Sequence, residues 1–168
     1  MKSDTIAAIA TALSDAGIGI IRISGPEAIA VANRVVVNKK KEHTLKNWQT
    51  HTIHYGFVEE NGTILDEVMV SVMKAPRSYT TEDTVEINCH GGVLLTKRVL
   101  EAVLHAGARM AEPGEFTKRA FLSGRIDLSE AEAVMDLIQA KNQFSMQASI
   151  KQLRGSVAEK VKSLRAAL

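Results

Sequence analysis

Three charged side chains at distant positions have the chemistry to bind a ligand. Glu86 falls on the polar side of an alternating segment, Arg22 lies inside an isoleucine-rich run, and Arg125 follows Gly124. A carboxylate accepts two adjacent N–H donors side by side, and a guanidinium group binds carboxylates through paired hydrogen bonds. Taken singly, each residue is better explained as an exposed charge on a sheet surface, a strand edge or a loop.

Other motifs argue against several kinds of catalysis. Cys89 alternates with apolar residues, which is more typical of a buried small side chain than of a nucleophile. His90-Gly91-Gly92 is interpreted as the turn from a strand into a helix, whose backbone donors could face an anion, because the sequence has no G-x-S-x-G. His51 and His54 are three apart in a predicted strand and point to opposite faces. With no G-x-x-x-x-G-K-[ST] loop either, we predict no catalytic residue and no metal site.

The composition is that of a globular protein, with 168 residues, 45% hydrophobic and 24% charged. A net charge of +2 is too small to indicate a nucleic-acid surface, and a single cysteine excludes an internal disulfide framework. The apolar run after Lys2 is interrupted by Asp4 and followed by a strand pattern, so we do not interpret it as an export signal. No run approaches the roughly 18 apolar residues of a membrane span. These features predict a cytoplasmic protein.

The first 120 residues alternate between strand and helix patterns. Asn61-Gly62, between two strand-like runs, predicts a tight hairpin turn. Gly91-Gly92 precedes a helical stripe that ends near Gly107. We predict strands at 5–10, 18–24, 84–89 and in both arms of a 51–74 hairpin, and helices starting at Pro26 and over 93–106. The pattern predicts an α+β fold with a mixed or antiparallel sheet and packed helices, followed by a helical segment.

Residues 112–138 predict a turn, a short helix and a capped helix. Pro113-Gly114 fits the centre of a type II turn, and the helix over 115–123 should stop at Gly124. Ser129 and Glu132 fit a capping box. Farther on, a long uncapped helix is predicted from the spacing of Met146, Ile150, Leu153, Val157, Val161, Leu164 and Leu168, and we therefore expect the sequence to be part of a longer protein.

Four segments resemble one protein family in the same order. They are DTIAAIATALSDAGIGIIRISGPEAI (4–29), KAPRSYTTEDTVEINCHGG (74–92), EPGEFTKRAFLSGRIDLSEAEAVMDLI (112–138) and RGSVAEKVKSLRAAL (154–168). In these segments the sequence resembles the MnmE/TrmE family of tRNA modification GTPases. The resemblance implies a tetrahydrofolate-binding and dimerisation domain over 1–120, similar to that of aminomethyltransferases, and the first part of a helical domain over 121–168.

The same resemblance implies a ligand and partners. Arg22, Glu86 and Arg125 match positions that contact 5-formyltetrahydrofolate or a related one-carbon folate in the family. Glu86 would hold the pterin, and the two arginines would supply positive charge, although Arg125 stands where relatives carry lysine. Family members are homodimers that act with a flavin-dependent MnmG/GidA-type partner on the wobble uridine of tRNA. Their GTP, magnesium and potassium sites lie in a further domain, so these 168 residues alone are not expected to hydrolyse GTP.

Three alternatives remain open from the sequence. One is a stand-alone folate-dependent one-carbon transferase, which would need its own catalytic acid or base. Another is a purely structural dimerisation module with a vestigial pocket. The third is a tRNA-binding module, suggested by basic residues of the last predicted helix: Lys151, Arg154, Lys160, Lys162 and Arg165.

Overall fold

The computed structural model describes residues 4–155, and the chain divides into two compact units, Met1–Phe116 and Thr117–Leu168. In the first unit the strands are β1 (Ile6–Ile9), β2 (Ala16–Ser24), β3 (Val36–Val37), β4 (Thr52–Glu60), β5 (Thr63–Met73), β6 (Thr84–Gly91) and β7 (Arg109–Met110). Its helices are α1 (Ala28–Val35), α2 (Val93–His105), a 3-10 turn (Leu45–Asn47) and the start of α3 (Glu115–Leu122).

The seven strands form one mixed sheet in the order β3-β4-β5-β6-β2-β1-β7. Neighbouring strands are antiparallel except β1 and β7, which run parallel. This is the α+β fold that the sequence predicts. The order also places β6 and β2 side by side in the interior of the sheet, although about 60 residues separate them along the chain.

One face of the sheet forms the hydrophobic core with α1 and α2. Because side chains alternate along a strand, Ile21 and Ile23 of β2 share this face with Val85 and Ile87 of β6, and all four are fully buried. Burial of each such side chain contributes about 1.5–3 kcal/mol. The helices cover them with small and branched residues, namely Ala28, Val31, Ala32, Val35, Val99, Leu100, Ala102 and Val103.

The predicted hairpin is confirmed, with Asn61 at φ 51° and Gly62 at φ 79° between β4 and β5. The strand predicted over 18–24 begins two residues earlier, because β2 starts at Ala16. A register shift between Ala16 and Gly19 lets this extra length pair with β6. Apolar and polar residues do not alternate clearly in a bulge of this kind, so the sequence pattern predicts a strand that starts only after the bulge.

Gly91 ends β6 where β2 approaches most closely. It pairs with Ala16, and a Cβ atom on Gly91 would lie 2.8 Å from the carbonyl carbons of Ala16 and Ile18. Gly92, the N-cap of α2, would place a Cβ in open space. The glycine pair therefore serves the turn from strand to helix, and only its first member is required by packing.

We expect Gly91→Ala to destabilise the protein by about 1–3 kcal/mol, because the added methyl group must displace backbone atoms of β2. Gly92→Ala is the matched control and should stay within about 1 kcal/mol of the wild type. Urea unfolding followed by circular dichroism measures both. Equal stability of the two variants would show that β2 and β6 do not approach as closely as described.

The second unit contains the rest of α3, then α4 (Leu128–Gln139) and α5 (Gln143–Leu153). The predicted capping box at Ser129 and Glu132 is wrong. Asp127 is the N-cap, its Oδ1 accepts the Glu130 N–H at 2.8 Å, and Glu130 Oε2 accepts the Asp127 N–H at 2.8 Å. Ser129 instead donates its hydroxyl to Asp127. Both pairs have the required spacing, and the earlier one begins the helix two residues sooner.

The long helix predicted through residues 146–168 ends early. Helix α5 stops at Leu153, and Gly155 follows with φ 78°, a conformation that terminates helices. Met146 and Ile150 lie in α5, and Gln152 donates its side-chain N–H to the Ser129 carbonyl of α4 at 2.8 Å. The later positions of the pattern, Val157, Val161, Leu164 and Leu168, lie outside the described residues, as do the basic Lys160, Lys162 and Arg165.

A candidate ligand site on the central strands

Arg22 and Glu86 face each other across β2 and β6. Their Cα positions are direct partners in the sheet register. Arg22 Nε donates to Glu86 Oε1 at 2.8 Å, and Arg22 Nη2 forms an ion pair with the same oxygen at 2.7 Å. The interpretation of Arg22 as an edge charge is therefore not supported, because β2 is an interior strand. Their side chains are only 31% and 22% exposed, so both charges are partly withdrawn from water.

The pair leaves polar atoms available to a ligand. Both contacts of Arg22 go to one oxygen, and within residues 4–155 neither Glu86 Oε2 nor Arg22 Nη1 makes a hydrogen bond. A carboxylate oxygen can accept two hydrogen bonds and each guanidinium Nη carries two N–H donors. The site thus offers one carboxylate oxygen that can accept and one guanidinium nitrogen that can donate.

The surface around the pair is the sheet face opposite the hydrophobic core. Ser71 and Met69 of β5 pair with Glu86 and Asn88 of β6 and lie on this face. Several large apolar side chains extend the face across β5 and β4 and are exposed: Ile53, Tyr55 and Met69. In an antiparallel sheet with one solvated face, polar residues are expected there. This face is instead polar at its centre and apolar beside it.

The segment between β5 and β6 closes over the strand ends next to the pair. Ser24 and Thr84 lie two positions beyond Arg22 and Glu86, pair directly, and are buried. Ser24 donates its hydroxyl to Glu82 Oε2 at 2.8 Å and lies 2.7 Å from the Thr80 hydroxyl oxygen. Because the carboxylate can only accept, the Ser24 proton points to Glu82 and Thr80 donates to Ser24.

A second cluster, Asp4–Arg109–Glu115, fixes the start of α3. Arg109 binds Glu115 through two N–H···O contacts at 2.7 and 3.0 Å, and Asp4 through two more at 2.7 and 3.1 Å. Hydrogen bonds to Glu115 first, and to Asp4 second, raise the pKa of Arg109 above its ordinary value. Glu115 is 7% exposed, and its neighbour Phe116 places its ring 5.7 Å from the Arg22 guanidinium carbon. This distance is within the range of a cation–π contact.

Sequence reasoning missed Phe116 and the Asp4–Arg109–Glu115 cluster. Arg109 lies in a two-residue strand, where no period can be measured, and Phe116 fits equally well as an apolar residue of a short helix. For Glu115 the local signal is its position three residues after Glu112, at the start of a helix. A carboxylate there often accepts a backbone N–H, and Glu115 Oε2 accepts the Glu112 N–H at 2.8 Å.

The structure brings together two of the three predicted site residues. Arg22 and Glu86 belong to the first unit, whereas Arg125 belongs to the second. Arg125 follows Gly124, which has φ 76° as predicted for a helix stop, and its backbone N–H donates to the Ala120 carbonyl at 3.0 Å. The role of Arg125 at the site stays a prediction.

Cys89 and His90 occupy the far end of β6. The Cys89 thiol is buried and donates to the Gly19 carbonyl at 3.3 Å. Burial raises the pKa of this thiol, which suits a packing residue rather than a nucleophile.

His90 Nδ1 lies 2.8 Å from Asp66 Oδ1, and this hydrogen bond raises the pKa of His90 above its ordinary value. Within residues 4–155, no group of three His, Cys, Asp or Glu side chains is arranged to hold a metal ion.

The His90–Asp66 pair gives a pH-dependent contribution to stability. The folded pKa of His90 is raised above an unfolded value near 6.5, so the contribution is complete below about pH 6.5 and is lost as the pH rises through the folded pKa. We therefore expect the difference in unfolding free energy between wild type and His90→Gln to shrink from pH 5.5 to pH 8.5. In an Asp66→Asn background the same substitution should show no such trend. A difference that grows with pH would contradict the pairing.

The fold is an α+β domain with a pair of opposite charges on the sheet face opposite its core, and comparison with known proteins gives its family. The model described as GTP-binding protein TrmE N-terminus matches residues 5–125, and the chain belongs to this family. It is 61% identical over 165 residues to the tRNA modification GTPase MnmE of Lachnoclostridium phytofermentans, covering 98% of this chain and 36% of the relative.

Other relatives carry the same name. The tRNA modification GTPase MnmE of Listeria welshimeri is 54% identical over 98% of this chain and 35% of its own length. That of Streptococcus thermophilus is 55% identical over 96% of this chain and 35% of its own length. The chain thus spans about a third of these relatives. None of the helices formed within residues 4–155 is both long enough and apolar enough to cross a membrane.

Proposed function

We propose that this chain is the folate-binding and dimerising part of a tRNA modification GTPase, with a one-carbon tetrahydrofolate such as 5-formyltetrahydrofolate bound at Glu86 and Arg22. The Arg22–Glu86 pair in the middle of the sheet carries the proposal. Such a ligand presents adjacent N–H donors on its pterin ring and carboxylates on its tail, which suit a carboxylate and a guanidinium group respectively.

Energetics favour a binding role for this pair over a purely structural one. An ion pair that remains partly exposed contributes about 0–1 kcal/mol to stability, so two charges in the interior of a sheet gain little for folding. The same charges gain more when a ligand covers them, because hydrogen bonds to charged groups strengthen as water is excluded. Arg125 would supply further positive charge for the ligand's tail.

The activity of the whole protein belongs to the same proposal. In it, the folate supplies the reactive carbon, and this domain contributes binding and orientation. The complete protein would act in the cytoplasm with a flavin-dependent MnmG/GidA-type partner on the wobble uridine of tRNA. GTP, magnesium and potassium would bind in a further domain. We propose residues 1–120 as the folate-binding domain and 121–168 as the start of the helical domain.

We expect Glu86→Gln to weaken binding of 5-formyltetrahydrofolate by at least about 10-fold, because an amide oxygen replaces one of two acceptors and the charge is lost. Isothermal titration calorimetry on the chain measures this. Glu101→Gln on α2, whose carboxylate is exposed and 3.6 Å from Arg98, is the control and should bind as the wild type does.

Each result of that titration separates the alternatives. Unchanged affinity of Glu86→Gln would place the pocket elsewhere. Absence of binding by the wild type would favour a structural module, and turnover of the folate by the chain alone would favour a one-carbon transferase.

The homodimer part of the proposal is supported by the apolar portion of the open sheet face. Ile53 is 64% exposed and lies on the same face as Tyr55 and Met69, across the two strands next to β6. Adjacent exposed apolar side chains of this size are typical of a surface that another protein covers. A second copy of the chain bound there would also cover the Arg22–Glu86 pair from one side and exclude water from it.

We expect Met69→Glu to shift the chain toward the monomer, because a carboxylate would be buried without a partner in the centre of that interface. Leu94→Glu is the matched control: Leu94 is 76% exposed on α2, which packs on the other face of the sheet. Light scattering coupled to size-exclusion chromatography gives the mass of each. A dimer that persists in Met69→Glu but is lost in Leu94→Glu would place the interface on the helices.

A further inference from the structure

We propose that Phe116 is a positioning residue for Arg22 and that the Asp4–Arg109–Glu115 cluster holds Phe116 in place. The proposal deepens, and rests on, the proposed folate site. It assigns to residues outside the predicted ligand contacts the task of fixing the geometry of the Arg22–Glu86 pair before a ligand arrives.

The first step is the environment of the Arg22 guanidinium group. One edge of the group, Nε and Nη2, is used by Glu86 Oε1 at 2.8 and 2.7 Å. The Phe116 ring centroid lies 5.7 Å from the central carbon. An aromatic face attracts a cation through its quadrupole, which an aliphatic side chain of similar size does not do. Arg22 is thus held by a charge and by a ring, from two different elements.

The second step is what holds the ring. Phe116 is the second residue of α3, and the first, Glu115, is bound through both carboxylate oxygens. Arg109 contacts one oxygen at 2.7 Å and the other at 3.0 Å, and the Glu112 N–H adds a contact at 2.8 Å. Two parallel N–H···O bonds fix orientation as well as distance. The first turn of α3 therefore has little freedom to rotate Phe116 away.

The third step is what holds Arg109. Asp4, just before β1, accepts from Nε at 2.7 Å and from Nη2 at 3.1 Å. One guanidinium group therefore ties together the chain before β1, strand β7 and the start of α3. A lysine in its place would keep the charge but could not bind two carboxylates through paired hydrogen bonds.

The consequence for binding is a lower ordering cost. Arg22 is a long side chain, and a ligand that binds it must immobilise it unless it is already fixed. With the ring in place, Nη1 of Arg22 and Oε2 of Glu86 are presented in one arrangement. Without the ring, Arg22 can leave Glu86 and the ligand must restore the pair.

A double-mutant cycle tests the coupling between Phe116 and Arg22. Calorimetry with 5-formyltetrahydrofolate should show about fivefold weaker binding for Phe116→Leu and binding within about twofold of the wild type for Phe116→Tyr, which keeps the ring. In an Arg22→Met background, Phe116→Leu should cause no further loss. Equal losses in both backgrounds, or no loss in either, would overturn the inference and leave the proposed folate site standing.

A measurement without ligand separates the two proposals. The Nε–H resonance of Arg22 in a nitrogen–proton correlation spectrum should move in Phe116→Leu, as the ring current is lost, and remain near its wild-type position in Phe116→Tyr. Arg109→Lys should move it as well, whereas Arg98→Lys should not, because Arg98 of α2 pairs with Glu60 of β4 and Glu101 of α2. An unmoved resonance in Phe116→Leu would overturn the inference. A moved resonance with no folate binding by the wild type would overturn only the proposed function.

Discussion

The Arg22–Glu86 ion pair is the interaction around which the rest of this domain is arranged. It joins β2 and β6 in the interior of a seven-stranded sheet, on the face opposite the one that α1 and α2 cover. Two charges there cost solvation free energy and return little of it as stability. The strands that carry them are fixed by the hydrophobic core on the opposite face, and the ring of Phe116 contacts Arg22.

The parts of the fold that follow local rules could be predicted from the sequence. The Asn61-Gly62 turn requires positive φ, and the helix Val93–His105 has a regular apolar stripe between Gly92 and Gly107. Both elements can therefore be predicted from residues that are close together in the sequence. The position of the capping box cannot be predicted in the same way, because Asp127–Glu130 and Ser129–Glu132 have the same spacing and aspartate caps a helix as well as serine does. Local rules could not choose between them.

The site itself could be predicted only in part. The polar position of Glu86 follows from alternation along β6, but its pairing with Arg22, 64 residues away in sequence, depends on the register of two distant strands. Register between distant strands is set by the packing of the whole core, which no local pattern contains. The same holds for Arg109 and Phe116, whose partners come from other segments. The resemblance to the MnmE/TrmE family predicts that Arg22 and Glu86 share one site, and the sheet register pairs them.

A crystal structure of the chain grown with 5-formyltetrahydrofolate tests the central claim most directly. The account predicts pterin N–H groups within about 2.7–3.2 Å of the Glu86 carboxylate, with Arg22 still packed on Phe116. A folate bound at another surface, with Glu86 contacted by Arg22 alone, would contradict it.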